Sequence, residues 1–295
     1  MSFLSKVKNK LIYVFASGLN DGSYIKLMFK SRVGYKPDLN NPKTFCEKLN
    51  WLKLHDRKPF YIDLVDKVKV KEIAKSRGCN VLPLLGVYDK FDDIDFDKLP
   101  NQFVLKTNHT SGGFVICKDK STFDFKNARK VLTKSLKRNY YKNGREWPYK
   151  NVERKILAEE YIDSLGKSES IEYKVTCFNG KVEFVTICRG IAHSAFNLRK
   201  NDFYDKDFNF LPFVTEYYAN SNIENKKPSF WDEMLKQSEE MAKDTHYLRV
   251  DFYDIDGKLY FGEATFFTWS GFIKFNPREY DKILGDRLII PTDKK

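Results

Sequence analysis

The sequence RVDFYDIDGKLYFGEAT, residues 249–265, contains two short runs of mostly aromatic and aliphatic residues on either side of Asp256-Gly257. An Asp-Gly pair between two such runs is typical of a tight turn in an antiparallel hairpin. The first run carries Asp251 and the second carries Glu263, so the hairpin would place two carboxylates on adjacent strands. The stretch therefore predicts a β-hairpin that carries acidic side chains.

The length of the turn decides whether the two carboxylates share a face, because side chains alternate along each strand. A two-residue turn pairs Asp251 with Gly262 and sends Glu263 to the opposite face. A three-residue loop pairs Asp251 with Glu263 and Arg249 with Thr265, so that all four point the same way. Two facing carboxylates beside a cation suit a Mg²⁺ ion that bridges nucleotide phosphates. Taken alone, the pattern is explained more simply by an exposed hairpin with ordinary charges.

FVLKTNHTSGGFVI, residues 103–116, predicts a strand, a glycine-containing loop and a second strand. Lys106 stands at the end of the first strand, and the amides around Gly112 and Gly113 could approach phosphate oxygens closely. The spacing does not match the G-x-x-x-x-G-K-[ST] phosphate loop, and a plain hairpin turn would account for the two glycines. His109 is explained more simply as a hydrogen-bonded loop residue than as a catalytic group.

ILAEEYID, residues 156–163, predicts a strand that carries two acids and leads into a loop. Acceptors and backbone groups on such a strand can read the amino edge of adenine. Charged residues that simply face solvent would give the same pattern, so this stretch indicates little by itself.

Three further stretches indicate the fold class. Residues 41–57 predict a helix that opens with a capping box of Thr44 and Glu47, and residues 64–78 predict a second helix. Residues 172–188 predict a hairpin with an Asn-Gly turn. Hairpins and helices in clusters, without regular β-α-β alternation, favour an α+β fold over a doubly wound sheet.

The composition is that of a folded chain, with 42% hydrophobic residues and a net charge of +12. Residues 126–155 hold eleven Lys and Arg against two acids, which favours a polyanionic partner or, equally, a solvated helix face. The five cysteines are scattered and form no metal-binding spacing, which fits a reducing cytoplasm. No apolar run approaches the length of a bilayer span. Residues 3–15 predict a short basic amphipathic helix, which we expect to pack on the body and which leaves membrane contact open.

The chain contains, in order, a lysine-bearing helix, the VLK strand with its loop, the EEY strand and the RVD…GE hairpin. This order of elements resembles that of the ATP-grasp fold. The chain from about Asn41 to Pro291 is similar to the teichuronopeptide-biosynthesis (TupA-like) ATP-grasp family of polysaccharide biosynthesis. The stretches that carry the resemblance are NPKTFCEKLNWLKLHDR, LVDKVKVKE, LPNQFVLKTNHTSGG, GREWPYKN, AEEYI, YKVTCFNGK, RVDFYDIDGKLYFGE and TFFTWSGF. The resemblance implies two α+β subdomains that sandwich ATP. We expect a helical N-terminal segment at 1–58, a small subdomain with the phosphate loop at 59–155, and a large subdomain with the adenine hinge and metal hairpin at 156–295.

The resemblance also implies roles by position. Lys106 would act in catalysis as well as in phosphate binding, and Arg249 would steady the transferring phosphoryl group. The metal ligands would be Asp251, Glu263 and Thr265, although Thr265 stands where ATP-grasp enzymes usually have Asn and is a poorer ligand. The implied nucleotide-binding residues are Lys67 or Lys69, Lys106, Ser111, Gly112, Gly113, Glu159, Glu160, Tyr161, and Asp163 or Glu172. The implied substrate-binding residues are His109, Arg145, Trp147, Tyr149, Arg189, Trp269, Ser270 and Gly271.

The activity implied is that of a cytoplasmic bacterial carboxylate–amine ligase that uses ATP and Mg²⁺ and works through an acyl phosphate. Its substrates would be an acidic sugar of a capsular or cell-wall polysaccharide and a small amine, with no nucleic acid partner. The inner face of the membrane is an alternative location, through the basic N-terminus. A sugar kinase or glycosyltransferase of the same pathway, and a non-enzymatic polyanion- or nucleic-acid-binding protein, are the alternative functions.

Overall fold

The computed structural model describes residues 16–166, 170–190 and 198–294. The helix predicted for residues 3–15 lies outside them. The helices in these ranges are α1 (Asp21–Arg32), α2 (Phe45–His55), α3 (Tyr61–Val65), α4 (Lys69–Ser76), α5 (Phe125–Leu136), α6 (Tyr141–Gly144), α7 (Trp231–Ala242) and α8 (Glu279–Arg287). The strands are β1 (Leu84–Tyr88), β2 (Phe103–Thr107), β3 (Phe114–Cys117), β4 (Ile156–Glu160), β5 (Ile171–Phe178), β6 (Lys181–Arg189), β7 (Lys200–Tyr204), β8 (Val214–Thr215), β9 (Tyr247–Ile255), β10 (Lys258–Thr265) and β11 (Phe275–Asn276).

The smaller of the two main sheets has the strand order β1-β4-β2-β3, and its ladders are antiparallel. One face packs against α5, where Phe103 and Leu105 of β2 meet Ala128 and Leu132 of the helix in a core of their own. The sheet includes β4 (Ile156–Glu160), which the sequence assigned to the large subdomain, and the boundary between the subdomains stays a prediction. The opposite face is left for the cleft described below.

The larger sheet has the order β10-β9-β5-β6-β7 and is also antiparallel. Tyr173 on one face of β5 meets Phe230 edge-on just before α7, with ring centroids 5.4 Å apart. The β5–β6 turn is the predicted type I′ turn, with positive φ at Asn179 and Gly180. Because α7 covers one face of the sheet, the other face is free to carry polar side chains.

Helix α2 begins as predicted. The Thr44 hydroxyl accepts a hydrogen bond from the Glu47 backbone at 3.3 Å, and the Glu47 carboxylate accepts one from the Thr44 backbone at 3.2 Å. Its apolar stripe is buried, and Phe45 stacks on Phe178 at the end of the large sheet with centroids 5.6 Å apart. The helical N-terminal region thus belongs to the core of the large sheet.

The single helix predicted for residues 64–78 is wrong, because the chain breaks between α3 and α4. Asp66 leaves the helical conformation, and its carboxylate accepts hydrogen bonds from the Val68 backbone and from the Asn108 side chain, both at 2.9 Å. Asn108 is fully buried and comes from the loop after β2. A tertiary contact therefore overrides a segment whose residues favour a helix.

The architecture confirms the predicted α+β class of two antiparallel sheets with helices against them. All five cysteines are buried and free. None of the helices in the described ranges has the length and apolar character to cross a bilayer.

Candidate functional site

The β9–β10 hairpin reaches the facing arrangement by a route that the sequence did not indicate. Its turn is the two-residue Asp256-Gly257 turn, with φ of 53° and 78°. A β-bulge at Gly262 then shifts the register, so that Glu263 pairs with Asp251 and Thr265 with Arg249. The two-residue turn of one alternative thus occurs with the strand pairing of the other, and all four side chains share one face.

Gly262 is required by close packing at this bulge. A Cβ atom there would lie 2.8 Å from a ring carbon of Tyr253 and 3.1 Å from the carbonyl oxygen of Asp251. The residue that shifts the register is therefore one whose neighbours leave no room for a side chain.

Asp251 is the buried centre of the site, with no exposed surface. Arg249 binds it in bidentate fashion, with Nε 2.6 Å from Oδ1 and Nη2 2.7 Å from Oδ2. The ammonium of Lys174 on β5 lies 2.7 Å from Oδ2. Burial raises the pKa of Asp251, but Arg249 and Lys174 outweigh it and hold the pKa below its ordinary value.

Lys174 is a site residue that the sequence reasoning missed. It pairs across the strands with Asp251 in register, and its ammonium also contacts the Glu172 carboxylate at 2.7 Å. Burial raises the pKa of Glu172 above its ordinary value, and Lys174 opposes that effect. Glu172, expected near a ribose, is thus the second carboxylate of Lys174. The sequence EYK at residues 172–174 contains both Glu172 and Lys174. Only the strand register, however, shows that Lys174 lies beside Asp251.

The small sheet contributes a second buried cluster. The Glu159 carboxylate forms an ion pair with Lys106 on β2 and another with Lys71 on α4, the latter at 2.8 Å. Burial raises the pKa of Glu159, whereas the two lysines together lower it below its ordinary value. Lys106 and Glu159 therefore lie together in the cleft, and Lys71 is a second cation that the sequence reasoning missed.

Lys67 connects the two clusters. Its backbone N–H donates to the carbonyl of Asn108, and its ammonium lies 3.0 Å from the carbonyl of Thr110 and 3.8 Å from Glu263. It occupies the break between α3 and α4, so the break places it in the cleft. Lys69, the alternative, is an exposed residue paired with Asp63 at 2.7 Å and lies outside the cluster.

The loop after β2 is a rigid element. The hydroxyls of Thr107 and Thr110 lie 2.7 Å apart, and Thr107 is also 2.7 Å from the Ser135 hydroxyl of α5. Gly112 and Gly113 have φ of 77° and 71°, and a Cβ at Gly113 would collide with Ser135. The glycines thus turn the chain back toward β3, and the hydroxyl bonds tie the loop to α5, with Ser111 and Gly112 exposed.

His109 is a buried residue of this loop, and its side chain is not exposed to a substrate. Its Nε2 lies 3.1 Å from the carbonyl oxygen of Arg138, and its Nδ1 has no hydrogen-bond partner in the described part of the chain. Burial lowers the pKa of His109 to about 4, so the ring is neutral at physiological pH.

An apolar surface completes the small-sheet side of the cleft. The registers place Ile116 opposite Val104 and Phe114 opposite Lys106, and hence on the same face as Lys106. Phe114 and Ile116 are 55% and 42% exposed, a large exposure for aromatic and aliphatic side chains on one strand. A flat heteroaromatic ring could pack on this surface, near β4.

Strand β4 ends at Glu160, which is exposed and points away from Glu159. Tyr161 is 9% exposed, and its hydroxyl lies 3.2 Å from the exposed Asp163. Burial raises the pKa of the Tyr253 hydroxyl well above its ordinary value. Carboxylates of both sheets, among them Glu172 and Glu159, add to this rise. The Lys67 ammonium lies 3.0 Å from the Thr110 carbonyl of the small sheet's loop and 3.8 Å from Glu263 of the large sheet, so the two clusters meet in one cleft.

Several residues predicted to bind a substrate are engaged elsewhere. Arg145 is 5% exposed and donates to the carbonyls of Ser17 and Leu19. Trp147 is 7% exposed, and its indole donates to the carbonyl of Asp56. The structure places both in the interior, where neither faces the cleft as an open substrate ligand.

Tyr149 and Arg189 also contact other residues of the protein. Tyr149 packs edge-on against Tyr140, with centroids 4.8 Å apart. Arg189 pairs with Ile171, on the face of the large sheet opposite Lys174, and binds the Asn225 side chain at 2.5 Å. The Trp269–Gly271 turn follows Thr268, which binds Arg249. Tyr149 is also near the hairpin: burial first raises its pKa above the ordinary value, Glu263 adds to the rise, and Arg249 opposes it.

The family model for TupA-like ATP-grasp proteins matches residues 47–289. The chain belongs to the TupA-like ATP-grasp family. The match includes the lysines, the loop after β2 and the β9–β10 hairpin described above. Among curated proteins, the search found no match.

Solved ATP-grasp structures resemble the chain more distantly. The N5-carboxyaminoimidazole synthetase of Staphylococcus aureus is 17% identical, with a TM-score of 0.40, and the comparison covers 69% of this chain and 44% of that one. The Bacillus anthracis D-alanine–D-alanine ligase is 21% identical, with a TM-score of 0.42 and coverages of 68% and 56%. The Helicobacter pylori D-alanine–D-alanine ligase is 14% identical, with a TM-score of 0.44 and coverages of 83% and 69%. The chain thus spans about half the length of the first two.

The carboxylates of the β9–β10 hairpin, Asp251 and Glu263, offer oxygen ligands of the kind that a divalent cation such as Mg²⁺ binds. Glu263 is partly exposed, and its nearest cations are 3.6 Å (Arg249) and 3.8 Å (Lys67) away, so its oxygens are available. Both oxygens of Asp251 are occupied by Arg249 and Lys174, so this carboxylate must exchange partners to bind a metal. The described residues hold no group of three or more His, Cys, Asp or Glu side chains arranged for a metal ion.

Proposed function

We propose that this ATP-grasp protein is an ATP-dependent carboxylate–amine ligase that acts on an acidic sugar of a bacterial surface polysaccharide. The observation that carries the proposal is a set of five cations around three carboxylates. Lys67, Lys174 and Arg249 lie at the facing carboxylates Asp251 and Glu263, and Lys71 and Lys106 pair with Glu159. Such a cluster can bind a triphosphate and neutralise the charge that develops during phosphoryl transfer. The sugar and the polysaccharide come from the family resemblance.

The chemistry has two steps. A carboxylate oxygen of the substrate attacks the γ-phosphorus, the bond to the β-phosphate oxygen breaks, and ADP leaves. The nitrogen of an amine then attacks the carbonyl carbon of the acyl phosphate, inorganic phosphate leaves, and the nitrogen loses a proton to give the amide. Each step needs positioning and charge neutralisation rather than a protein nucleophile.

We assign roles to this chain's residues by where the structure places them. Lys106 and Lys71 face the small-sheet side of the cleft and would hold phosphate oxygens, with Lys67 between the two sheets. Arg249 would bind the transferring phosphoryl group. Asp251 and Glu263 would hold Mg²⁺, which neutralises the charge on the phosphates when bound.

Adenine and the acyl phosphate would use the remaining surfaces of the cleft. The exposed apolar side chains of Ile116 and Phe114 would pack on the adenine ring, next to the hinge at Glu160 and Tyr161. The loop at Thr107–Gly113, which hydroxyl bonds hold together and tie to α5, would exclude water from the acyl phosphate.

The first experiment is isothermal titration of ATP with and without Mg²⁺. We expect Mg²⁺-dependent binding by the wild type and its loss in the Asp251→Asn/Glu263→Gln double variant. Asp256→Asn is the matched control in the same hairpin, because Asn tolerates the left-handed conformation of the turn. Failure of the wild type to bind ATP or ADP would contradict the proposal.

A second assay tests the reaction class. Glucuronate and galacturonate are combined with a panel of amines, and ADP and phosphate release are followed together. Release of both only when a carboxylate and an amine are present supports a ligase. ADP without free phosphate, with a phosphorylated sugar, would indicate a kinase instead.

A further inference from the structure

The turn after β10 has an unusual backbone. Trp269, Ser270 and Gly271 follow one another with φ of 49°, 56° and 70°, all in the left-handed region. Non-glycine residues rarely adopt this conformation, and two in succession that include a tryptophan are rarer still. Strain of this kind persists only where the surrounding structure holds it in place.

A buried polar network holds the turn. The Asn50 side chain of α2 donates to the Gly271 carbonyl at 2.7 Å, and the Lys53 ammonium donates to the Ser270 carbonyl at 2.5 Å. The Ser270 hydroxyl donates to the Glu146 carboxylate at 2.5 Å. Lys53 is fully buried, and its burial lowers the pKa of its ammonium. Lys53 also donates to Asn50 Oδ1 at 3.0 Å. A lysine kept in the interior to bind the turn and Asn50 indicates that the shape of this turn matters.

The held turn presents an aromatic surface. Trp269 is 37% exposed, whereas Trp147 and Trp231 are 7% and 0% exposed. The Trp269 ring stacks on Tyr217 with centroids 3.9 Å apart and an interplanar angle of 18°, and Tyr218 lies 5.9 Å away. A stacked, partly exposed aromatic pair offers a flat apolar face of the kind on which sugar rings pack.

This surface begins at the reactive end of the cleft. The Thr268 hydroxyl accepts a hydrogen bond from Nη1 of Arg249 at 2.8 Å, and Trp269 is the next residue. A ligand on Trp269 would therefore reach the guanidinium that we assign to the transferring phosphoryl group.

A cation completes the surface. Arg32 is exposed at the end of α1, and its guanidinium lies 5.7 Å from the centre of the Phe272 ring, at the other end of the turn. Within the described ranges, Arg32 has no hydrogen bond or ion pair. Its charge also acts on Tyr217, where it opposes the rise in pKa caused first by burial and then by Glu216. Glu216 itself is neutralised by Lys274 at 3.3 Å, so Arg32 remains available for an anion.

We propose that Trp269, Tyr217 and Arg32 form a subsite for an acidic sugar unit, whose ring packs on Trp269 and whose carboxylate pairs with Arg32. The subsite rests on the proposed ligase function only for its place beside Arg249. Asn50, Lys53 and Glu146 are positioning residues, since they act on the ligand through the turn.

The probe is trigalacturonic acid, with neutral maltotriose as the comparison, and binding is measured by isothermal titration. Arg32→Gln and Trp269→Leu should each weaken trigalacturonate binding about tenfold, since one loses a charge-assisted pair and the other a stacking face. Trp269→Phe keeps a ring and should stay within about threefold of the wild type. Arg129→Gln is the matched control, because Arg129 is also exposed and lies over a phenylalanine ring, but on the small sheet's helix.

Titrations of ATP with the same variants separate this proposal from the proposed function. Arg32→Gln and Trp269→Leu should bind ATP as the wild type does. Sugar binding with the expected pattern but no ATP binding would leave the subsite standing and remove the ligase. The subsite is overturned if the wild type does not bind trigalacturonate, if maltotriose binds as tightly, or if both variants bind trigalacturonate like the wild type.

Discussion

Replacement of Lys174 by Met tests the charge balance of the cleft. Lys174 lies 2.7 Å from Glu172 and 2.7 Å from Asp251, and its side chain is 19% exposed. Its removal leaves Glu172 as a buried carboxylate without a cation, while Asp251 keeps Arg249. Removal of one partner from a buried ion pair costs about 3–5 kcal/mol, and we expect a loss of about 3 kcal/mol in the free energy of unfolding. ATP affinity should fall about tenfold or more, because a charged donor to phosphate is lost.

A second substitution separates stability from binding. Glu172→Gln in the Lys174→Met background removes the orphaned charge, so about half or more of the lost stability should return. ATP affinity should stay low, because the cation is still missing. Lys69→Met is the matched control: its ion pair with Asp63 is exposed, and its loss should change stability by less than about 1 kcal/mol.

Urea unfolding followed by fluorescence gives the stabilities, and isothermal titration gives the ATP affinities. The reasoning is refuted if Lys174→Met is as stable as Lys69→Met, or if Glu172→Gln restores no stability to it. Restoration of ATP binding by Glu172→Gln would show that Lys174 acts through Glu172 rather than on phosphate.

Three further predictions concern the hairpin and the loop. Gly262→Ala should lower the free energy of unfolding by about 1–3 kcal/mol and weaken Mg²⁺-dependent ATP binding. Gly257→Asn, in the open turn, is the control and should do neither. Equal behaviour of the two variants in urea unfolding and ATP titration would contradict the role of the bulge. Thr265→Asn should lower the Mg²⁺ concentration needed for half-maximal ATP binding several-fold, and an unchanged requirement would exclude this position from the metal site. His109 has a pKa lowered to about 4, so its contribution to stability is present above pH 6.5 and is lost as pH falls toward 4. The wild type should lose on the order of 3 kcal/mol over that range and His109→Asn less, as measured by urea unfolding at each pH; equal losses would show that other groups dominate.

The sequence predicted those parts of the fold that local interactions determine. The capping box of α2 forms because Thr44 and Glu47 satisfy each other's backbone within one turn of helix. The Asn179-Gly180 and Asp256-Gly257 turns form because those residues accept positive φ. Such interactions need no knowledge of distant residues.

The features that the sequence did not predict depend on distant contacts. The break at Asp66 depends on Asn108, 42 positions later in the chain. The bulge at Gly262 depends on the packing of Tyr253, and the role of Lys174 depends on the register between β5 and β9. These three contacts assemble the candidate site, so the sequence indicated the residue types of the site better than its geometry.

The substrate residues show the same difference. Arg145 and Trp147 have the chemistry to bind an acidic sugar, but composition does not reveal burial, and both lie in the interior. Arg32 lies in no stretch that suggested function, and only the position of α1 beside Phe272 brings it to the Trp269 surface.

The paired clusters of the cleft have a consequence for how a nucleotide would bind. Lys106 and Lys71 already share Glu159, and Lys174 and Arg249 already share Asp251, so the protein carries its own counter-ions. An incoming triphosphate would displace these carboxylates rather than mobile salt ions, and the freed Asp251 would become available to a metal. Binding by internal exchange releases few ions to solution, in contrast to binding at an open basic surface. The ATP affinity of this protein should therefore depend only weakly on salt concentration.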